Sequence, residues 1–219
     1  MKETHHIPPP CHQVVEILYS DDHILVINKP SGLLSVPGKI IKDCVLQRII
    51  YEYPTAAIVH RLDLDTSGLM VMALSKQALS SLNKSFRERA VTKEYIALVN
   101  GIVWQDQGKI EASLRPDPVN RPRQLIDPVS GKPSSTYYEV IQRSTGDDYT
   151  RLLLKPETGR THQLRIHMAS MGHAILGCDL YAPPEVLARS DRLMLHASHL
   201  AFPHPRSGRY VAFNALPDF

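Results

Sequence analysis

The 219 residues include only three cysteines, Cys11, Cys44 and Cys178. The number is odd and no two lie close together, so a disulfide framework is not expected and a reducing cytoplasm is the expected compartment. No stretch approaches the roughly 20 consecutive apolar residues that a membrane span needs. The opening MKETHHIPPPCHQ has no apolar core and no small-residue cleavage site, so no signal peptide is expected. Residues 1–13 read as a disordered or extended lead. Charge excess is also missing. The net charge is +3, which suits an anionic partner without demanding one.

Several chemistries lack their signatures. There is no Gly-rich phosphate loop, no GxSxG elbow and no HExxH. Histidine is plentiful, with 11 residues. Yet the spacings His162/His167, His196/His199 and His199/His204 match no metal-ligand pattern, so no metal site is expected. Internal repeats and low-complexity linkers are absent too.

What is present is an alternation of short apolar runs and turn signals. Val14–Tyr19 and His23–Lys29 read as strands around a turn at 20–22. Val45–Tyr53 reads as a helix ended by Pro54. Ala57–Val59 and Leu69–Leu74 read as strands. Ser75 is placed to cap a helix over 76–89. Further strands are expected over 95–103, 110–114, 137–142, 149–155, 193–202 and 210–213. A helix over 162–171 would be capped by Thr161 and ended by Gly172. Residues 115–133, rich in Pro, Asp, Asn and Arg, read as a long functional loop or arm. Strands joined by short turns imply an α+β fold, with a mainly antiparallel, mixed sheet and flanking helices. Residues 14–219 read as one catalytic domain.

Two polar clusters stand out. His60-Arg61-Leu62-Asp63-Leu64-Asp65-Thr66-Ser67-Gly68 sets two carboxylates, a guanidinium and two hydroxyls between two apolar strands. Such a loop presents a catalytic carboxylate, or it is a polar turn whose side chains satisfy backbone amides. Thr158-Gly159-Arg160-Thr161-His162-Gln163-Leu164-Arg165 is a basic helix start, where Arg165 either holds a carboxylate or is a solvated charge.

His-Arg-Leu-Asp-x-x-Thr-Ser-Gly followed by an apolar strand resembles the catalytic motif of the RluA family of pseudouridine synthases. Lys93-Glu94-Tyr95-Ile96-Ala97-Leu98-Val99-Asn100-Gly101 resembles that family's K-x-Y strand. Residues 158–167 resemble its TGR-x-HQ-[IL]-R motif, and Asn28-Lys29-Pro30-Ser31-Gly32 its opening turn. Matches in family order run from about Val15 to Phe219, so an N-terminal S4-type RNA-binding domain, common in the family, is not expected. One departure is that Cys178 follows Ile175-Leu176-Gly177 where the family usually has Asp, with Asp179 next.

The resemblance implies isomerisation of uridine to pseudouridine in RNA, with no cofactor or metal. Asp63 would be the catalytic carboxylate, Arg165 its partner, and Tyr95 the ring stacked on the target uracil. Arg61 would fill the space left by a flipped base, with His60, Arg160 and His162 also facing RNA. Arg87, Arg89, Lys93, Arg115, Arg121 and Arg123 are candidates for phosphate contacts. The compact layout and the arm resemble members that act on both 23S rRNA and the tRNA anticodon stem-loop. A monomer is expected, for want of an apolar surface stripe. The alternatives are a non-catalytic RNA-binding module and a hydrolase of glycosidic bonds, with Asp65 the nearest second carboxylate.

Overall fold

A computed structural model describes residues 9–219. Of the expected lead, residues 1–8 lie outside the described residues. The chain runs β1 (Glu16–Ser20), β2 (Ile24–Lys29), α1 (Val45–Ile50), β3 (Ala57–Ile58), β4 (Ser67–Ala73), α2 (Lys76–Arg87) and β5 (Thr92–Asn100). It continues through β6 (Gln107–Pro116), β7 (Gln124–Ile126), β8 (Lys132–Ser144), β9 (Tyr149–Pro156), α3 (Gln163–Ser170), α4 (Pro184–Leu187), β10 (Leu195–Pro203) and β11 (Tyr210–Asn214). The expected α+β class holds. Two compact units result, one from the chain up to Val91 with Ala201–Ala215, the other from Thr92–Leu200 with Leu216–Phe219. Among the described residues no helix is long and apolar enough to cross a membrane.

The first unit is organised on β2 and β4. Ile24, Leu25, Val26 and Ile27 are fully buried, and all seven residues of β4 are buried. Continuous rather than alternating burial means both faces of this part of the sheet are covered. Each such side chain contributes roughly 1.5–3 kcal/mol by leaving water. The antiparallel register pairs Val26 with Val71 and Lys29 with Gly68. Gly68 has φ of 110°, a conformation that side chains other than hydrogen resist. That kink is where the Asp63 segment enters β4. Ser75 caps α2 as expected, its Oγ accepting from Ala78 N at 3.1 Å. The helix ends at Arg87, two residues early, because Arg89 turns left-handed at φ 59°.

The second unit carries strands in the order β5-β9-β8-β6-β7, together with β10 as far as Leu200. Its core joins Ala97, Val99, Leu152 and Leu154 of the sheet to Leu164 and Met168 of α3. The expected hairpin is present and longer, with β8 and β9 paired from Thr136–Pro156 to Ser144–Tyr149 and the register shifting between Val140 and Gln142. Three expectations need correction. The arm is not a loop throughout: β6 runs on to Pro116 and β7 folds back on it, pairing Leu114 with Ile126 and Pro116 with Gln124. A strand of three residues is too short to show alternation. Thr161 does not cap α3; the cap residue is His162, left-handed at φ 55° and with no side-chain cap bond. Strand β5 ends at Asn100 rather than at 103, because Gly101 turns at φ 75°. The short helix α4 was not foreseen.

Candidate active site

The Asp63 segment is stitched down through its backbone by residues 29–35. Ser35 Oγ donates to Leu62 O at 2.7 Å and accepts from Leu62 N at 3.1 Å. Ser31 Oγ donates to Asp65 O at 2.8 Å, and Gly32 N to Leu64 O at 3.0 Å. Leu62 is buried, Asp63 and Asp65 are half-buried, and Arg61 is exposed. Burying a leucine between an exposed arginine and a half-exposed aspartate fixes which way each neighbour points. His60 anchors the entry, its Nε2 accepting from Val71 N at 3.1 Å and its ring stacked 4.8 Å from Phe86. That bond makes Nδ1 the protonated nitrogen of a neutral ring.

Lys29 is the largest surprise. Its side chain is wholly buried at the end of an apolar strand. Its Nζ donates to Leu33 O at 2.7 Å, Leu64 O at 2.9 Å and Pro30 O at 2.9 Å. Three acceptors match the three protons of an ammonium. Burial pushes Lys29 down to about 7, while the charges of Asp65, Cys11 and Asp63 pull it back up. A buried cation therefore sits under the two carboxylates and grips the carbonyl that follows Asp63. In the sequence Lys29 stands out only as part of the Asn28–Gly32 turn at the end of an apolar strand.

In the second unit, Tyr95 lies on β5 and packs against the core around α3. Lys93 precedes it by two residues, so both side chains stand on the same face of the strand. Lys93 is pushed down by burial. Arg165, 3% exposed, is held on three sides. Its Nη2 donates to Asp179, its Nε meets Cys178 Sγ at 3.3 Å, and its guanidinium lies 5.6 Å over the ring of Tyr181. The solvated-charge alternative for Arg165 is thus corrected. Cys178, which had no chemical context in the sequence, lines this pocket, and Asp179 supplies its carboxylate.

A directed hydrogen-bond chain fixes the loop before α3. Gln163 Oε1 accepts from Arg160 N at 3.0 Å and from Thr158 Oγ1 at 2.7 Å. Its amide donates to Ser135 O and to Thr136 Oγ1, each at 3.0 Å. Thr136 Oγ1 lies 3.0 Å from His167 Nδ1, and His167 Nε2 lies 2.8 Å from Ser134 Oγ. Because Ser134 Oγ donates to Ala112 O at 2.6 Å, His167 Nε2 must carry the proton and Nδ1 must accept. Burial pushes His167 down to about 4, which keeps it neutral.

The remaining basic candidates divide. Arg87, Arg89, Arg121, Arg123 and Arg160 are exposed, Arg87 and Arg89 in the first unit and the others in the second. Arg160 Nε also reaches Pro133 O at 3.3 Å. Arg115 instead pairs with Asp127, whose carboxyl is held down to about 2 by that guanidinium and by the amides of Ser130 and Val129. Its charge braces the arm. Asp63, Arg61 and His60 belong to the first unit, whereas Tyr95, Arg165 and His162 belong to the second.

The model of the RNA pseudouridylate synthase family matches residues 23–170, through both the Asp63 loop and α3. The chain belongs to the RNA pseudouridylate synthase family. This synthase is an RNA isomerase that converts uridine to pseudouridine. It is 48% identical over 213 residues to the dual-specificity RNA pseudouridine synthase RluA of Escherichia coli, covering 96% of this chain and 97% of that one. It is 49% identical over 205 residues to the protein of the same name from Yersinia pestis, covering 93% and 99%. Among solved structures it superposes on human RNA pseudouridylate synthase domain containing 1 with a TM-score of 0.83 at 29% identity, covering 97% and 87%.

Proposed function

We propose that this synthase modifies both 23S rRNA and the tRNA anticodon stem-loop, as a cytoplasmic monomer without a cofactor, using Asp63 as its catalytic carboxylate. The observation that carries the dual specificity is the near full-length likeness to relatives named dual-specificity synthases. We take residues 14–219 as one catalytic domain, since the family match at 23–170 runs through both units.

The reaction breaks the C1′–N1 bond, turns the base and forms C1′–C5. A proton leaves C5 and one is gained at N1, so substrate and product are isomers and nothing is consumed. A carboxylate at the sugar meets the positive charge that develops at C1′. Asp63 takes this role on a loop whose backbone is clamped by Lys29, Ser31 and Ser35, which supports accurate placement. Arg165 serves the reaction as a buried guanidinium; the carboxylate it pairs with is that of Asp179 rather than the expected Asp63, and Cys178 braces its Nε. Tyr95 stacks on the detached uracil. The base reaches the site by flipping, and Arg61, exposed beside the buried Leu62, enters the vacated space. His60 acts from beneath, as the packed footing of Arg61. His162 and Arg160 face RNA, while Arg87, Arg89, Lys93, Arg121 and Arg123 hold phosphates.

The test is tritium release from C5-labelled uridine in an anticodon stem-loop and in a large-subunit rRNA hairpin, with wild type and Asp63→Asn. Release from both RNAs by wild type alone is expected. Release from one RNA refutes dual specificity. A loss of RNA mass, rather than tritium release at constant backbone mass, reveals a hydrolase.

A further inference from the structure

The arm and Arg165 meet at one side chain of the second unit. Tyr181 Oη accepts from the backbone N–H of Gln124, the first residue of β7, at 2.8 Å. The same oxygen lies 2.9 Å from His162 Nδ1. The hydroxyl therefore bonds the arm's backbone and the His162 ring at once, the direction of the second bond following the imidazole tautomer. His162 stands edge-on to the tyrosine, with ring centroids 5.7 Å apart, and is the left-handed cap of α3. Three residues along that helix, Arg165 lays its guanidinium on the ring of Tyr181. The other holds on Arg165, Cys178 and Asp179, come from the same short turn, closed by Ala182 N donating to Cys178 O at 3.1 Å.

The arm end of this chain is specific. Gln124 stands opposite Pro116 in the β6–β7 register, and its N–H is spent on Tyr181. It directly follows Arg123, one of the exposed arginines at the arm's tip. Movement of the tip therefore acts on the hydroxyl through a single peptide unit. The hydroxyl in turn acts on the cap of α3, and the ring acts on the guanidinium.

We propose that Tyr181 is a positioning residue that couples the seating of the arm on RNA to the alignment of Arg165. This rests on the reading of Arg165 as part of the reaction centre. A hydrogen-bonded aromatic with partners on two elements, β7 and α3, is a side chain whose loss is felt beyond its own contacts.

The experiment uses the full chain and whichever labelled RNA the wild type converts. Four variants are compared: Tyr181→Phe, which keeps the ring and loses the hydroxyl; Gln124→Pro, which removes the donor from the arm side; Arg165→Lys; and Tyr181→Phe with Arg165→Lys. Single-turnover rate at saturating RNA, RNA Kd by filter binding and the melting temperature are measured for each. Tyr181→Phe and Gln124→Pro are each expected to lose about tenfold in rate while Kd stays within about threefold. The double variant is expected to be no slower than Arg165→Lys, because both act through one group. A role in stability alone lowers the melting temperature and leaves the rate of the folded protein unchanged. If Tyr181→Phe runs at full rate while Arg165→Lys is slow, or the losses multiply, the coupling is wrong and the Arg165 reading stands. If Arg165→Lys itself runs at full rate, the Arg165 reading fails and takes the coupling with it. Should Tyr181→Phe not fold, Gln124→Pro decides alone.

Discussion

Replacing Lys29 with methionine tests what holds the Asp63 loop separately from what holds the fold. Methionine keeps most of the volume and removes the charge and all three donors. The carbonyls of Leu33, Leu64 and Pro30 lose charge-assisted partners, at about 1.5–3 kcal/mol each, or roughly 4–9 kcal/mol in all. Against this, burial holds the ammonium at about 7 rather than 10.5. At about 1.4 kcal/mol per unit, that is a penalty of roughly 5 kcal/mol which methionine does not carry. The difference runs from about 1 kcal/mol gained to about 4 kcal/mol lost, against the ~5–15 kcal/mol of an ordinary domain. Catalysis has no such offset. The carbonyl of Leu64, next to Asp63, is released, and a shift of ~1 Å at a reacting group costs about 100-fold. Lys29→Met is therefore expected to remain folded and to unfold cooperatively in urea, yet to release tritium about 100-fold more slowly in single turnover. A titration adds a second check. From pH 7 to 10.5 the unfolded chain holds a proton that the folded chain releases, so wild-type stability gains on the variant as pH rises through that window. A Lys29→Met rate within about threefold of wild type would refute the clamp.

Three further outcomes are expected. As pH falls from 6.5 to 4, unfolded His167 takes up a proton that the folded ring refuses, so about 3 kcal/mol of stability is lost; urea titrations of wild type and His167→Gln should differ in that slope alone. Ser35→Ala strands both the carbonyl and the amide of Leu62 and should cost about 1–3 kcal/mol, read as a lower melting temperature. Arg123→Ala should weaken binding to both RNAs alike and reduce the slope of log Kd against log salt by about one, whereas an unchanged slope removes Arg123 from the phosphate contacts.

Much of this protein is written locally in its chain. Continuous apolar runs at Ile24–Ile27 and Leu69–Ala73 announce the buried strands β2 and β4, because a strand covered on both faces has no polar side to show. Ser75 announces the start of α2, because a cap bond spans only three residues. The motif around Asp63 is contiguous, so its resemblance to a catalytic loop is visible before any fold is known. The departure at Cys178 was visible in the same way, though not its meaning.

Tertiary structure decided the rest, and in each case the partners are far apart in sequence. Lys29 is legible in the sequence only as part of the turn after β2, and its burial follows when Leu64, 35 positions away, supplies a carbonyl within the core. The arm reads as loop because β7 acquires its partner only when the chain folds back on β6. Thr161 looked like the cap of α3, yet Gln163 satisfies the amide of Arg160 once Thr136 and Ser135 fix its other end. Tyr181 touches Gln124, 57 positions away, and Arg165 finds its sulfur and carboxylate one turn beyond its own helix. Local sequence determined the strands, the caps and the chemistry on offer, because those depend on neighbours along the chain. Which of those groups are buried, clamped and charged depended on distant partners, because desolvation and hydrogen bonding are set by what surrounds an atom in space.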